Sequence, residues 1–104
     1  MNQPLIRNAG QLEPLEEVAG FKVRPGYYSQ NGALALPNAV SFTIHSYNAT
    51  SVELVLFKRT ETEPYAIIPF PQSYRIGKVF SMMVFDLDIE EFEYAYRLDG
   101  PNDP

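Results

Sequence analysis

The stretch AVSFTIHSYNATSVELVLFKR, residues 39–59, decides the fold. Val40, Phe42 and Ile44 alternate with Ser41, Thr43 and His45, a period of two that sends one face into a core and the other into water. That is the pattern of a half-buried strand. After YNAT, 47–50, alternation resumes with Val52, Leu54 and Leu56 on one side and Glu53, Val55 and Phe57 on the other. So short a connection predicts that the two strands are antiparallel neighbours.

Downstream, ETEP breaks the pattern at 61–64, and YAIIPF, 65–70, is a short run whose Pro69 suits an edge strand. PQSYRIG, 71–77, reads as a loop. KVFSMMVFDL, 78–87, is apolar on both faces and belongs in the middle of a sheet or under another layer. DIEE turns the chain at 88–91, and FEYAYRL sets Phe92, Tyr94, Tyr96 and Leu98 against Glu93, Ala95 and Arg97. Upstream, FKVR, 21–24, is a short strand, and the following segment to Ala39 carries Pro25, Gly26, the Asn31-Gly32 turn signal and Pro37. Residues 1–20, interrupted by Pro4 and Pro14, are expected to be a flexible arm. Short strands with turn residues between them, and no helical period, predict an all-β, antiparallel immunoglobulin-like sandwich over residues 21–104.

Composition narrows the partners. The 104 residues make one domain, and a net charge of −5 repels a phosphate backbone or an anionic membrane, so neither nucleic acid nor membrane is an expected partner. There is no cysteine, hence no disulfide framework. No apolar run approaches the roughly 18 residues of a membrane span and the N-terminus has no signal pattern, so a soluble, cytoplasmic protein is expected.

Candidate chemistry is sparse. His45, the single histidine, falls on the solvent side of its strand, without visible co-ligands for a metal. Asp86, Asp88, Glu90, Glu91 and Glu93 contain enough carboxylates for glycoside hydrolysis, but they crowd a turn and read as a solvated loop. Asn48-Ala49-Thr50 fits a glycosylation sequon and equally a turn. Phosphate loops, nucleophile elbows and zinc-hydrolase motifs are absent, so no catalytic residue, cofactor or metal is expected. The tyrosines are more informative. Tyr27, Tyr28, Tyr47, Tyr65 and Tyr74 fall in loops or at strand ends, where a rigid ring can stack on a pyranose face or simply cap the core.

Two separated motifs carry a resemblance. Val40, Phe42, Ser46, Asn48, Ala49, Val52, Leu54, Leu56 and Phe57 resemble the opening motif of the N-terminal β-sandwich of isoamylase-type glycogen debranching enzymes. YAYRLDGPNDP, through Tyr94, Tyr96, Arg97, Gly100, Pro101, Asp103 and Pro104, is similar to the closing strand and exit of the same domain, related to the family 48 carbohydrate-binding modules. With RPGYYSQNG as lead-in, the resemblance covers residues 21–104. It implies a non-catalytic domain cut from an α-1,6-glucosidase, with the barrel of an α-amylase-like glycoside hydrolase expected after residue 104. The implied partners are that catalytic barrel, beside which the domain packs, and α-glucan. Starch-binding members use exposed tryptophans. This chain has none, and Phe80 stands where many relatives carry one. Two other readings stay open on the residues alone: an autonomous α-glucan-binding module, and an unrelated immunoglobulin-like protein interaction module. A domain freed from its barrel should expose an apolar patch, for which VFSMMVF, 79–85, is the expected source, with self-association as the result.

Overall fold

The computed structural model describes residues 12–100. Its strands are β1 (Glu16–Val18), β2 (Phe21–Arg24), β3 (Gly32–Leu36), β4 (Ala39–His45), β5 (Ser51–Lys58), β6 (Ala66–Pro69), β7 (Arg75–Ile76), β8 (Val79–Phe85) and β9 (Phe92–Asp99). Short 3₁₀ turns at Gln72–Tyr74 and Ile89–Glu91 precede β7 and β9. A six-stranded sheet runs β1-β2-β8-β4-β3, with β7 paired to β8, and faces a three-stranded sheet ordered β6-β5-β9. All pairings are antiparallel, giving the all-β sandwich that the alternation predicts.

For β4 and β5 the inward residues are those picked out by the period of two. Val40 and Phe42 of β4, Val52, Leu54 and Leu56 of β5, Ile68 of β6, and Phe80, Met82 and Val84 of β8 form one core with Val23 of β2. Phe70, just beyond β6, meets the Phe80 ring edge to face at 6.2 Å and joins the two sheets. Pro69 ends an edge strand, as its missing N–H requires.

Four expectations need correction. First, β4 and β5 are not neighbours: β4 lies between β3 and β8, and β5 between β6 and β9. The 46–50 connection crosses from one sheet to the other, so the apolar faces of β4 and β5 oppose each other across the core. Ala49, 4% exposed, is the buried pivot of that crossing. Second, GALAL is a strand, β3, joined to β4 by the two-residue turn Pro37-Asn38 with Leu36 opposite Ala39. Third, β1 lies inside the stretch expected to form an arm. Val18 pairs with Phe21 across Ala19 and Gly20, both at positive φ, 53° and 86°, the geometry of the tight turn that matches strand twist. Pro4 and the rest of residues 1–11, like Pro101, Asp103 and Pro104 of the exit motif, lie outside the described residues.

The fourth correction concerns the outer face of the large sheet. Ser41 and Thr43, expected in water, are buried. The 25–30 segment folds over them: Tyr27 N–H donates to Ser41 Oγ at 2.9 Å, and Thr43 Oγ1 donates to the Tyr27 carbonyl at 3.0 Å. With its proton so committed, Thr43 accepts from Ser81 Oγ at 2.6 Å. Beside this hydroxyl cluster, Met83, Phe85 and Ala39 pack with Leu12, Tyr27 and Leu36. Strand β8 is therefore central and covered on both faces, as its composition demands, but for that reason VFSMMVF is not an exposed docking patch.

Candidate functional site

Burial sorts the candidate tyrosines. Tyr74 is 3% exposed, and its hydroxyl donates to Glu16 Oε2 at 2.6 Å, while Tyr28 donates to the Tyr74 carbonyl at 2.7 Å. Both rings tie the 72–74 turn to its neighbours, β1 and the 25–30 segment, rather than offering a face to a ligand. Tyr27 is half-buried over Met83 and Phe85. Tyr47 and Tyr65 are exposed, 80% and 51%, at opposite ends of β5. The five rings therefore do not converge on one surface. Tyr65 is already engaged, with the Phe92 ring 5.0 Å away and Lys58 Nζ 5.0 Å from its centroid.

Tyr47 borders a shallow groove of about 550 Å³, lined also by His45, Ser46, Asn48, Leu98, Asp99 and Gly100. The corner between β4 and β5 forms one wall and the end of β9 the other. Ser46 N–H donates to the Lys78 carbonyl at 2.8 Å, and Ser46 Oγ accepts from Ala49 N–H at 3.1 Å, which shapes the corner. Thr50 donates to the Asp99 carbonyl through N–H at 2.7 Å and through Oγ1 at 3.2 Å, which closes the far side. Gly100 passes so near that a Cβ there would sit 2.5 Å from the Asn48 carbonyl oxygen. The two motifs separated in sequence, Ser46-x-Asn48-Ala49 and Asp99-Gly100, thus meet in space to build one groove.

Lys78 Nζ stands 5.1 Å from the Tyr47 ring centroid, a cation–π contact that restricts the ring. His45 is exposed, as expected, and its Nδ1 donates to Asn31 Oδ1 at 3.2 Å. An exposed ring flanked by an amide, a carboxylate and an ammonium is equipped to stack on an apolar ring face and bond its hydroxyls. Sequence reasoning found Tyr47 but missed Lys78 and Asp99, which only the pairing of β4 with β8 and of β5 with β9 brings to this end.

The acidic candidates are otherwise engaged or unclustered among the described residues. Among the described residues no three His, Asp or Glu side chains cluster as a metal site would need. Asp88 is occupied as a cap, its Oδ1 accepting the Glu90 N–H at 3.1 Å. Glu93 lies 4.0 Å from Arg59 on the surface. Phe80 is wholly buried and offers no platform.

The model of carbohydrate-binding module 48, the isoamylase N-terminal domain, matches residues 28–104. The chain belongs to the carbohydrate-binding module 48 family. The match starts at Tyr28, yet in this family 48 module the upstream strands are integral to the sandwich, since Val23 of β2 is fully buried in its core. Among solved structures, a pullulanase from Paenibacillus barengoltzii, crystallised in complex with maltohexaose and α-cyclodextrin, shares the fold with a TM-score of 0.60 and 17% sequence identity. The similarity covers 76% of the module and 12% of the pullulanase chain. No curated protein sequence matches the module.

One prediction arises from the buried phenols. Burial raises the pKa of Tyr74, and its hydrogen bond to Glu16 raises it further; burial, then Tyr94, raises Tyr96; burial raises Tyr28. The folded state thus keeps protons that the unfolded chain releases near pH 10, so these groups favour folding below about pH 10 and that contribution is lost as pH climbs further. Phenolate absorbance at 295 nm is expected to show a late fraction that ionises together with loss of the β-sheet circular dichroism signal. Full reversible titration of all seven tyrosines near pH 10 with the fold intact would contradict this.

Proposed function

We propose that this chain is the non-catalytic N-terminal domain of an α-glucan debranching glycoside hydrolase, packing beside the catalytic barrel and contacting glucan at the Tyr47 groove. The observation that carries the reading is the family match over residues 28–104, whose two most recognisable motifs build the groove. Packing beside a barrel is supported by the outer face of the small sheet, where the half-buried Phe57 and Ile67 stand beside the buried Val55. The structure-sharing pullulanase, crystallised with maltohexaose and α-cyclodextrin, supports glucan as the ligand class.

Titration with maltoheptaose, followed by amide chemical shifts, tests the contact. Shifts at residues 45–49 and 98–100 are expected at millimolar ligand, with Tyr47→Ala weakening binding about tenfold, as loss of a stacked aromatic should. Tyr65→Ala should change little. Silence of the native chain at millimolar maltoheptaose would remove glucan contact from the proposal. Release of reducing sugar from glycogen by the pure chain would overturn the non-catalytic role. A second reading, a module that holds glucan unaided, is favoured by the exposure of Tyr47. Saturation well below millimolar ligand would select it over a barrel-supporting role.

A further inference from the structure

Among the described residues the long paths of the two sheets end in β1 and β3 and in β6 and β9, and the two-residue β7 is a further edge beside β8. Strands β1, β3, β6 and β7 are managed in recognisable ways, β7 by its length of two residues. Strand β1 is three residues long and carries Glu16 and Glu17; β6 is four residues and ends in Pro69; β3 is five residues. Short edges, charge and proline are the usual guards against pairing with another chain. Strand β9 is neither short nor interrupted by proline, and its charges, Glu93, Arg97 and Asp99, include both signs, so they do not repel a second copy in the way a single-sign edge would. It runs eight residues in unbroken register with β5 and has no other ladder partner among the described residues.

The direction of its free groups follows from β5. Leu56 and Val52 accept from Tyr65 and Phe70 N–H, so even-numbered residues of β5 aim at β6 and odd-numbered ones at β9. The Arg59 N–H to Glu91 carbonyl bond continues the odd pairing. Glu93, Ala95 and Arg97 therefore spend their backbone groups on β5. Phe92, Tyr94, Tyr96 and Leu98 turn theirs to the open side. The side chains at this rim spill past the core: Tyr94 is 38% and Leu98 45% exposed although both face inward.

We propose that β9 is a self-pairing edge, at which two copies of this chain join antiparallel about a two-fold axis through Ala95 to make one continuous six-stranded sheet. That register is self-complementary. It sets Glu93 opposite the partner's Arg97, Tyr94 opposite the partner's Tyr96 and Phe92 opposite the partner's Leu98, and every outward N–H and C=O of those four even residues finds a match. Arg97 is held by Glu53 at 2.7 Å but its side chain is 62% exposed, and Glu93 is held only at 4.0 Å from Arg59. Each Arg97 would then lie between its own Glu53 and the partner's Glu93. The pairing shares Leu98 with the Tyr47 groove but does not rest on glucan being bound there.

Sedimentation equilibrium of the 104-residue chain tests it. The mass is expected to rise from 11.8 kDa towards twice that value with concentration. Arg97→Glu or Glu93→Arg alone places like charges opposite at both ends of the pair and should weaken the dimer about tenfold or more. Combining Glu93→Arg with Arg97→Glu exchanges the signs and should restore it. Amide exchange gives a second readout that needs no substitution: protection of Tyr94 and Tyr96 should grow with concentration, while that of Ala95, already bonded to β5, should not. A monomer at millimolar concentration, a dimer indifferent to both reversals, or single reversals that the double exchange fails to rescue would each overturn the proposal.

Discussion

Phe80→Ala is expected to remove about 3–5 kcal/mol of stability, the range for a buried aromatic cut to a methyl. Phe80 is wholly buried in β8, the strand that touches β2, β4 and β7. Its ring meets Phe70 edge to face, and the Arg75 guanidinium carbon lies 5.0 Å from its centroid. The loss therefore opens a cavity between the sheets and breaks the aromatic contact that spans them. A domain of this size has only about 5–15 kcal/mol in hand, so the substitution removes a large share of the margin. Urea titration should show a lower midpoint at unchanged slope. Phe80→Trp should also destabilise, by about 1–3 kcal/mol, because the ring is wholly buried. A loss under about 1 kcal/mol for Phe80→Ala would mean that the ring is not the inter-sheet contact described.

The period of two was enough to identify β4, β5 and β9 and to separate their two faces, because burial on one side of a strand leaves its record in every second residue; β8, apolar on both faces, could be identified but not oriented. It could not say which strands share a sheet. A five-residue connection serves a hairpin or a sheet-to-sheet corner equally well, and what selects the corner is the burial of Ala49 and the bond from Thr50 to Asp99, a partner 49 positions away. Nor could it foresee that Ser41 and Thr43 would be dry. Their polarity reads as solvent exposure until the backbone of Tyr27 is seen to use both hydroxyls. GALAL was hidden for a related reason: it is flanked by Asn31-Gly32 and Pro37-Asn38, turn signals that mark its ends but look like one continuous loop.

The site was half legible. A tyrosine in a connection is visible in sequence, but whether it caps a core or faces a ligand depends on what packs over it. Tyr74 and Tyr47 are alike in their turn-rich settings, yet one is 3% and the other 80% exposed. The difference is β1, whose Glu16 receives the Tyr74 hydroxyl from a stretch that proline and glycine make look unstructured.

The same segment that buries Ser41 makes Gly26 hard to replace. A Cβ at residue 26 would stand 2.5 Å from both Ser41 Oγ and Ser81 Oγ and 3.3 Å from the Met82 carbonyl carbon. If the hydroxyls swing away to admit it, the Tyr27 N–H and the Thr43 hydroxyl lose buried partners, each loss worth about 1–3 kcal/mol. If instead the 25–30 segment lifts, the outer face of β4 and β8 is opened to water. Either way Gly26→Ala is expected to destabilise by about 2–4 kcal/mol, measurable by urea titration. The two routes separate in a double-mutant cycle. Ser81→Ala removes one of the two colliding oxygens, so Gly26→Ala should be less harmful in that background, with a coupling of about 1 kcal/mol. Strict additivity would show that the segment lifts as a whole, and a neutral Gly26→Ala would refute the close approach itself.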